Sequence, residues 1–252
     1  MLTGILVPMH EEIELIIHTM QIESVYESGK RKFYKGIFQG KECVVALSRI
    51  GKVASSVTAA VMIEKFSIDR LIVSGVAGGI APHLKTGDIV VADECVQHDL
   101  DARPLFPQFE APLLGKGFFH CDPVLVETAM ESSSEFLKTD LKKFISEKDI
   151  QTFSLHAPTL YKGQLCCGDQ FIGSLSQLTK IRTDLPKTLC VEMEGGAVGQ
   201  VCYEYNIPYV VVRTISDGAS DDAHVDFGLY IENVAKFYTL GVVSKIIEKL
   251  TD

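Results

Sequence analysis

The stretch from residue 192 to residue 217 holds an unusual set of ionisable side chains. It contains two glutamates separated by one residue, an arginine, a serine and an aspartate: Glu192, Glu194, Arg213, Ser216 and Asp217. Carboxylates that meet in one pocket can act as general acid and general base, and an arginine beside them can fix their orientation. These residue types therefore indicate acid–base chemistry and not packing.

Two strands and a helix are predicted to position these side chains. Leu189–Val191 is short and apolar, as a buried strand would be, and Tyr209–Val212 is a β-branched run typical of a strand covered on both faces. Asn206 can end a helix between the two strands, and Pro208 prevents its continuation. The apolar residues of this helix recur at helical spacing: Ala197, Val198, Val201, Cys202 and Tyr205. The carboxylates then follow the carboxyl ends of strands, where open parallel sheets bind ligands.

A further carboxylate is predicted at the same edge of the sheet. Ile5–Val7 is a first strand ended by Pro8, and a helix follows from Glu11 onward. Met9 and Glu12 would lie in the first turn after that strand. Glu11 is interpreted as an acidic first-turn residue that complements the helix dipole.

Several short motifs occur along the chain in a fixed order. They are Met9-x-x-Glu12, Ile50-Gly-Lys-Val-Ala54, Gly75-Val-Ala-Gly-Gly79, Gly168-Asp-Gln-Phe171, Val191-Glu-Met-Glu194 and Val210-Val-Val-Arg-Thr-Ile-Ser-Asp217. Together they closely resemble the 5′-methylthioadenosine/S-adenosylhomocysteine nucleosidases, within the wider nucleoside phosphorylase superfamily. The resemblance covers nearly the whole chain, except the loop 100–118 and the segment 139–160.

The resemblance implies hydrolysis of the N-glycosidic bond of 5′-substituted adenosines, which releases adenine and the modified ribose. Asp217 would protonate or hydrogen-bond the purine N7, and Glu12 would accept a proton from water on the opposite face. Glu194 would bind the ribose hydroxyls, Met193 would pack on the sugar, and Arg213 would orient the carboxylates. Glu192 would bind the sugar or the water. Methylthioadenosine, S-adenosylhomocysteine, 5′-deoxyadenosine and 6-amino-6-deoxyfutalosine remain open as substrates, and the activity would belong to methionine salvage.

The same resemblance assigns further residues to the substrate. Phe171 would stack on the purine, and the backbone of Ile172 would pair with its edge. Val76 and Ala77 would lie against the ribose and base, with Val76 where many members have serine. The isoleucine at position 50 would line the alkylthio side. Met9, Ser216 and Phe227 complete the expected site; Phe227 could equally be a core residue at the start of a helix.

Length and composition indicate one α/β domain spanning residues 1–252, and the resemblance implies a central twisted mixed β-sheet flanked by helices. The net charge of −9 argues against nucleic acid, since neutralising phosphates requires clustered Lys and Arg. There is no long uncharged apolar run and no basic signal region, so we expect no membrane segment and a cytoplasmic location. The seven cysteines form no C-x-x-C pair and are expected to be reduced core thiols. We expect neither a metal nor a cofactor.

Two segments depart from the resemblance. The aromatic, proline-containing loop 100–118 is predicted to be a lid or an interface loop, and the resemblance implies a homodimer in which it contributes to the neighbour's pocket. The segment 139–160 is more polar and is predicted to be a surface insertion.

Two alternatives to a hydrolase remain open. A purine nucleoside phosphorylase would need an anion pocket near the first strand, but the first loop carries Glu11 and Glu12, and neither Arg49 nor Arg70 occupies a matching loop position. A non-catalytic nucleoside-binding protein would keep the fold without turnover, although binding alone would not need both an acid and a base.

Overall fold

The computed structural model describes residues 1–218 and 223–251, with the backbone alone at 223–226. The strands are β1 (Thr3–Val7), β2 (Gln21–Ser28), β3 (Arg31–Phe38), β4 (Lys41–Leu47), β5 (Arg70–Gly79), β6 (Ile89–Gln97), β7 (Phe118–His120), β8 (Leu160–Cys167), β9 (Thr188–Glu192) and β10 (Tyr209–Asp217). The helices are α1 (His10–Thr19), α2 (Lys52–Phe66), α3 (Pro123–Thr139), α4 (Leu141–Phe144), α5 (Glu147–Thr152), α6 (Leu175–Asp184), α7 (Gly195–Tyr205), α8 (Ala223–Tyr230) and α9 (Lys236–Lys249). The expected α/β fold with a mixed sheet between helices is confirmed.

The sheet runs in the order β10-β6-β8-β9-β5-β1-β4-β3-β2, and β7 pairs with β6. An additional pairing of β10 with β5 closes its first five strands into a ring. β10 has a neighbour on each side, and all nine of its residues are buried, so the strand continues beyond its β-branched residues to Asp217.

The orientation of β9 differs from the sequence-based expectation of a parallel strand–helix–strand unit. β9 and β10 lie on opposite sides of β5, with β10 parallel to it and β9 antiparallel. The overlap of β5 with β9 is confined to two residue pairs, Gly78 with Val191 and Gly79 with Cys190. Since these pairs lie near the carboxyl ends of both strands, the ends of β5, β9 and β10 still meet at one place.

The helix between β9 and β10 ends as predicted. Asn206 adopts the left-handed conformation, with φ of 55°, and its N–H donates to the carbonyl oxygens of Cys202 and Tyr203. Asparagine tolerates this conformation better than most residues, and it satisfies carbonyls that the last turn leaves without helical partners. The chain can therefore reverse within a few residues and enter β10 at Tyr209.

The closing helix was predicted to start at Phe227, whereas α8 begins at Ala223. It continues through one π-helical segment, Ile231–Ala235, directly into α9. Phe227 thus lies within a helix and not at its start.

The segment 139–160 combines exposed charges with buried apolar side chains. It forms α4 and α5, and its lysines at 142, 143 and 148 are exposed. Its buried residues belong to the main hydrophobic core: Leu141, Ile145, Ile150, Phe153 and Leu155. The apolar residues of this segment therefore pack into the core of the domain, while its lysines face solvent.

All seven cysteines are buried free thiols. Burial raises the pKa of the Cys43 thiol to about 12, because an apolar environment disfavours the thiolate. Across the described ranges 1–218 and 223–251, we find no helix with the length and apolarity that crossing a membrane requires.

Candidate active site

A cleft with an empty volume of about 660 Å³ opens where β5, β9 and β10 end. Its lining residues are Pro8, Met9, Ile50, Val76, Ala77, Gly78, Gln170, Phe171, Ile172, Val191, Glu192, Met193, Glu194, Ser216, Asp217 and Phe227. The wall is largely apolar, and its carboxylates come from two strand ends.

Twelve of the fourteen residues that the sequence assigned to the site line this cleft. The other two, Glu12 and Arg213, are fully buried behind its wall. The lining residues that sequence reasoning missed are Pro8, Gly78, Gln170 and Val191. Each lies directly beside a predicted site residue in the chain, so adjacency was the signal available.

Arg213 ties two of the carboxylates together. It lies in the middle of β10, is completely buried, and its Nη2 donates to Glu192 Oε2 and, at 3.1 Å, to Glu194 Oε2. Although burial favours the neutral form, the charges of Glu192 and Glu194 raise the pKa of Arg213 above its usual value. The guanidinium therefore stays charged and holds the two glutamates in one arrangement.

Glu192 also caps the helix that follows it. Its carboxylate accepts the backbone N–H of Glu194 at 3.0 Å and that of Gly195 at 2.8 Å. An anion is favoured there because the first N–H groups of a helix have no helical partners. The Glu192 oxygens thus accept hydrogen bonds from main-chain N–H groups and from Arg213. Glu192 thereby fixes the position of Arg213 and of the backbone at Glu194.

Glu194 occupies a similarly buried position but faces the cleft. Its Oε1 accepts the backbone N–H of Gly51 at 3.0 Å, and its Oε2 accepts from Arg213. Burial, together with the neighbouring charge of Glu192, raises the pKa of Glu194 to about 8. A carboxyl group of this kind can accept from a hydroxyl or donate to one near neutral pH.

Glu12 lies on α1 with no solvent exposure. Burial raises its pKa to about 7, although Arg213 and the N–H groups of Met9 and Val76 favour the carboxylate. Its two oxygens make no hydrogen bond of regular geometry with any residue in the described part of the chain. A carboxyl group with such a pKa is poised to exchange a proton near pH 7.

Gly75 separates Glu12 from Arg213. A Cβ placed on Gly75 would lie well under 3.0 Å from Arg213 Nη1 and 3.2 Å from Glu12 Oε1. Both charged groups therefore converge on the space that the missing side chain leaves free. A larger residue at this position would push the guanidinium away from its carboxylates.

Asp217 ends β10 and is 8% exposed. The hydroxyl of Ser216 donates to its Oδ2 at 2.7 Å. Asp217 is paired in register with Gly78, whereas Glu12 lies behind the wall formed by Met9 and Val76. Asp217 thus lines the cleft from the end of β10, while Glu12 lies behind the cleft wall on α1.

Two aromatic rings stand at the mouth of the cleft. Phe171 and Phe227 pack edge to face, with ring centroids 5.9 Å apart. Phe171 is 41% exposed and Ile50 is 54% exposed, so both retain apolar surface that could cover a ligand. Among described residues, none from the loop 100–118 lines the cleft of its own chain.

The chain was compared with known families and structures. The model of the phosphorylase superfamily matches residues 3–245. The 5′-methylthioadenosine/S-adenosylhomocysteine nucleosidase of Aeromonas salmonicida (strain A449) is 35% identical over 250 residues, covering 99% of this chain and 100% of the relative. The nucleosidase of the same name from Haemophilus influenzae (strain PittEE) is 33% identical over 98% of this chain and 99% of its own.

Solved structures agree with these relatives. The 5′-methylthioadenosine/S-adenosylhomocysteine nucleosidase of Neisseria meningitidis, in complex with methylthio-immucillin-A, superposes with a TM-score of 0.87 at 29% identity and 99% coverage of both chains. The futalosine hydrolase of Helicobacter pylori strain 26695 gives a TM-score of 0.83 at 30% identity, covering 99% of this chain and 98% of its own. The likeness therefore extends over the entire domain.

Proposed function

The chain belongs to the phosphorylase superfamily and, within it, to the 5′-methylthioadenosine/S-adenosylhomocysteine nucleosidases, and from this premise we propose how its cleft works. The protein is an enzyme that hydrolyses the N-glycosidic bond of 5′-substituted adenosines and releases adenine. The observation that supports this mechanism is that the buried residues Glu194 and Asp217 line one cleft, with Glu12 fully buried behind its wall.

Asp217 is the general acid of the proposed mechanism. Cleavage of the bond leaves negative charge on the purine, and a proton delivered to N7 makes adenine a neutral leaving group. Asp217 stands at the rim of the cleft with Ser216 holding one of its oxygens at 2.7 Å. That hydrogen bond fixes the direction in which the other oxygen faces the base.

Glu12 is the general base of the proposed mechanism. The sugar passes through an oxocarbenium-like state and must be attacked by water on the face opposite the base. A carboxylate with a pKa of about 7 can take the proton of that water near neutral pH. Its burial keeps bulk water away from the reacting carbon.

Glu194 binds the ribose hydroxyls, and its neighbours hold it in place. Arg213 and the N–H of Gly51 each occupy one of its oxygens at 3.0–3.1 Å, which sets the carboxyl plane before substrate arrives. Glu192 contributes by fixing Arg213 and the first turn of α7. Met193 packs on the sugar between the two glutamates.

The remaining lining residues bind the base and the 5′ substituent. Phe171 stacks on the purine, and the backbone of Ile172 pairs with its edge. Val76 and Ala77 lie against the ribose and base. The 5′ substituent extends toward a group of apolar side chains at the cleft mouth: Met9, Ile50 and Phe227.

Hydrolysis is favoured over phosphorolysis by the charge of the cleft. Its described lining contains no lysine, arginine or histidine, and the guanidinium of Arg213 is engaged by two glutamates. A phosphate ion would meet these carboxylates, and no cationic side chain in the described cleft lining would offset the repulsion. Water carries no such penalty.

Adenine release is the experiment that tests this function. We expect methylthioadenosine to yield adenine and 5-methylthioribose at the same rate with and without phosphate. Strict dependence on phosphate, with a ribose 1-phosphate product, would overturn hydrolysis. Asp217→Asn should abolish release while adenine still binds in a calorimetric titration, and near-normal turnover of that variant would remove Asp217 from the acid role.

The assembly and setting are also proposed. We infer a homodimer in which the loop 100–118 covers the 5′ side of the neighbour's cleft, because this loop carries strongly exposed leucines at positions 105 and 113. The enzyme would act in the cytoplasm, in methionine salvage. Sedimentation at micromolar concentration tests the dimer, and a purely monomeric species would contradict it.

A further inference from the structure

Three loops beside the cleft are joined by a compact group of polar contacts. Lys52 Nζ donates to Asp99 Oδ1 at 2.7 Å, and the backbone N–H of Asp169 donates to Asp99 Oδ2 at 2.9 Å. Asp169 in turn accepts the backbone N–H of Lys52 at 2.8 Å. We call Lys52, Asp99 and Asp169 the loop clamp, since they connect the segments after β4, β6 and β8.

The loop clamp lies near the surface, where Asp169 is exposed and the side chains of the ion pair are partly buried. The side chain of Lys52 is 18% exposed and that of Asp99 is 21% exposed. Although its partial burial raises the pKa of Asp99, the hydrogen bonds from Lys52 and from the Asp169 N–H outweigh this and lower it below its usual value. Asp99 is therefore ionised at neutral pH, and the clamp is a charged interaction and not a neutral one.

Two of the three clamped loops carry residues of the cleft wall. The loop that ends in Lys52 supplies Ile50 and also the N–H of Gly51, which donates to Glu194 Oε1 at 3.0 Å. The loop that begins at Asp169 supplies Phe171 and Ile172. Asp99 lies outside the cleft lining, yet it is the residue that holds both loops at once.

The absence of a side chain at Gly51 lets the loop that ends in Lys52 lie close to the loop that begins at Asp169. Gly51 has a φ of +101°, a conformation that residues with a side chain rarely adopt, and a Cβ there would lie 3.1 Å from Asp169 Oδ1. The backbone thus approaches the Asp169 carboxylate directly, and the N–H groups of Gly51 and Lys52 point to two different carboxylates. Movement of Asp169 would be transmitted to Glu194 through one peptide unit.

We propose that Asp99 is a positioning residue for substrate binding, which acts by holding the loops of Ile50 and Phe171 at the distance that the adenosine moiety requires. The proposal rests on the proposed function, because it concerns how that cleft receives its substrate. Asp99 touches neither the substrate nor the reacting atoms; Lys52 and Asp169 carry its effect to the cleft.

The test compares Asp99→Asn with a matched pair elsewhere in the chain. Asp140 and Lys245 form a contact of 2.8 Å with exposures of 15% and 14%, remote from the cleft, so Asp140→Asn is the control. In Asp99→Asn the KM for methylthioadenosine should rise five- to tenfold with kcat changed less than about twofold, since the acid and base are untouched. The control should lower the melting temperature and leave KM unchanged.

Substitutions of Lys52 distinguish the loss of its charge from a general disturbance of the fold. Lys52→Met should raise KM as much as Asp99→Asn does, and the double variant should show no further rise, because both remove the same contact. Lys52→Arg keeps the charge and should keep KM near the wild-type value. Equal losses in Lys52→Arg and Lys52→Met, or a KM of Asp99→Asn within twofold of wild type, would overturn the proposal.

Hydrogen exchange of the free protein distinguishes failure of the clamp from failure of the proposed function. The amides of Gly51 and Asp169 should exchange at least fivefold faster in Asp99→Asn than in wild type and in Asp140→Asn. Unchanged exchange would refute the clamp even if the enzyme is active. Faster exchange in a protein that releases no adenine would instead support the clamp and refute the function.

Discussion

Replacing Glu12 by glutamine should stabilise the folded protein at pH 8 while it removes activity. Glu12 is fully buried, and this burial raises its pKa from an ordinary value of 4.5 to about 7, against the opposing effect of Arg213. The folded state therefore holds the proton of Glu12 more tightly than the unfolded chain does. Ionising this residue must weaken folding.

The size of this effect follows from the two pKa values of Glu12. Below about pH 4.5 the residue is protonated in both states and costs nothing. As the pH rises from about 4.5 to about 7, the unfolded chain loses the proton of Glu12 while the folded protein keeps it. The free energy of unfolding of the wild type therefore falls by about 3 kcal/mol, since one pKa unit corresponds to about 1.36 kcal/mol. Glutamine has nearly the same shape and remains neutral, so the variant should not suffer this loss.

Urea unfolding at pH 5 and pH 8 measures the prediction. The advantage of Glu12→Gln over wild type should grow by about 2–3 kcal/mol between these pH values. Glu14→Gln, on the exposed side of the same helix, is the control and should show no such growth. An advantage that is equal at both pH values, or absent, would refute the reasoning.

The same variant tests catalysis. The kcat/KM of wild type should rise with pH through about 7, as Glu12 loses its proton and becomes able to accept one from water. Glu12→Gln should lower kcat/KM for adenine release by about 10²- to 10⁴-fold, the usual contribution of general acid–base catalysis.

Three further substitutions test the cleft. Glu192→Gln should lower the free energy of unfolding in urea by about 3 kcal/mol, because Arg213 would lose one of its two buried carboxylate partners; an unchanged value would mean that Glu194 suffices. Gly75→Ala should cost about 1–3 kcal/mol and most of kcat by displacing Arg213, while Gly228→Ala, whose added methyl meets open space, should be tolerated in both assays. Phe171→Ala should raise the KM for methylthioadenosine about tenfold, as expected for loss of one stacked base, with little change in melting temperature because the ring is half exposed; a normal KM would exclude stacking on the purine.

The sequence predicted β1, β9, α7 and β10, whose apolar residues are largely buried. The spacing of apolar residues located α7, and Asn206 and Pro208 located its end, because both residues have backbone preferences that act locally. β2 was missed, since nearly every residue of Gln21–Ser28 is exposed and this edge strand carries no apolar alternation. The buried residues of the segment 139–160 were hidden for a related reason, namely the many charges between them.

The sequence predicted which residues gather around the cleft, but not how deeply each of them is buried. Short motifs identified the residues around the cleft, and their strand-end positions explained why they gather there. That Glu12 and Arg213 lie behind the wall depends on how α1 packs against α9 and the strands β1, β3 and β4, which no local pattern encodes. The antiparallel placement of β9 was equally beyond reach, because it depends on the closed ring of strands.

The inward placement of every native thiol has a practical consequence for spectroscopy. Burial disfavours the thiolate, which is the form that reacts with maleimide dyes, and all seven cysteines lie buried within the described chain. A cysteine introduced at the exposed Val124, outside the loop 100–118, would therefore take up a fluorophore selectively, without prior removal of the native ones. Energy transfer between two such labels would report on how closely the subunits of the proposed homodimer approach.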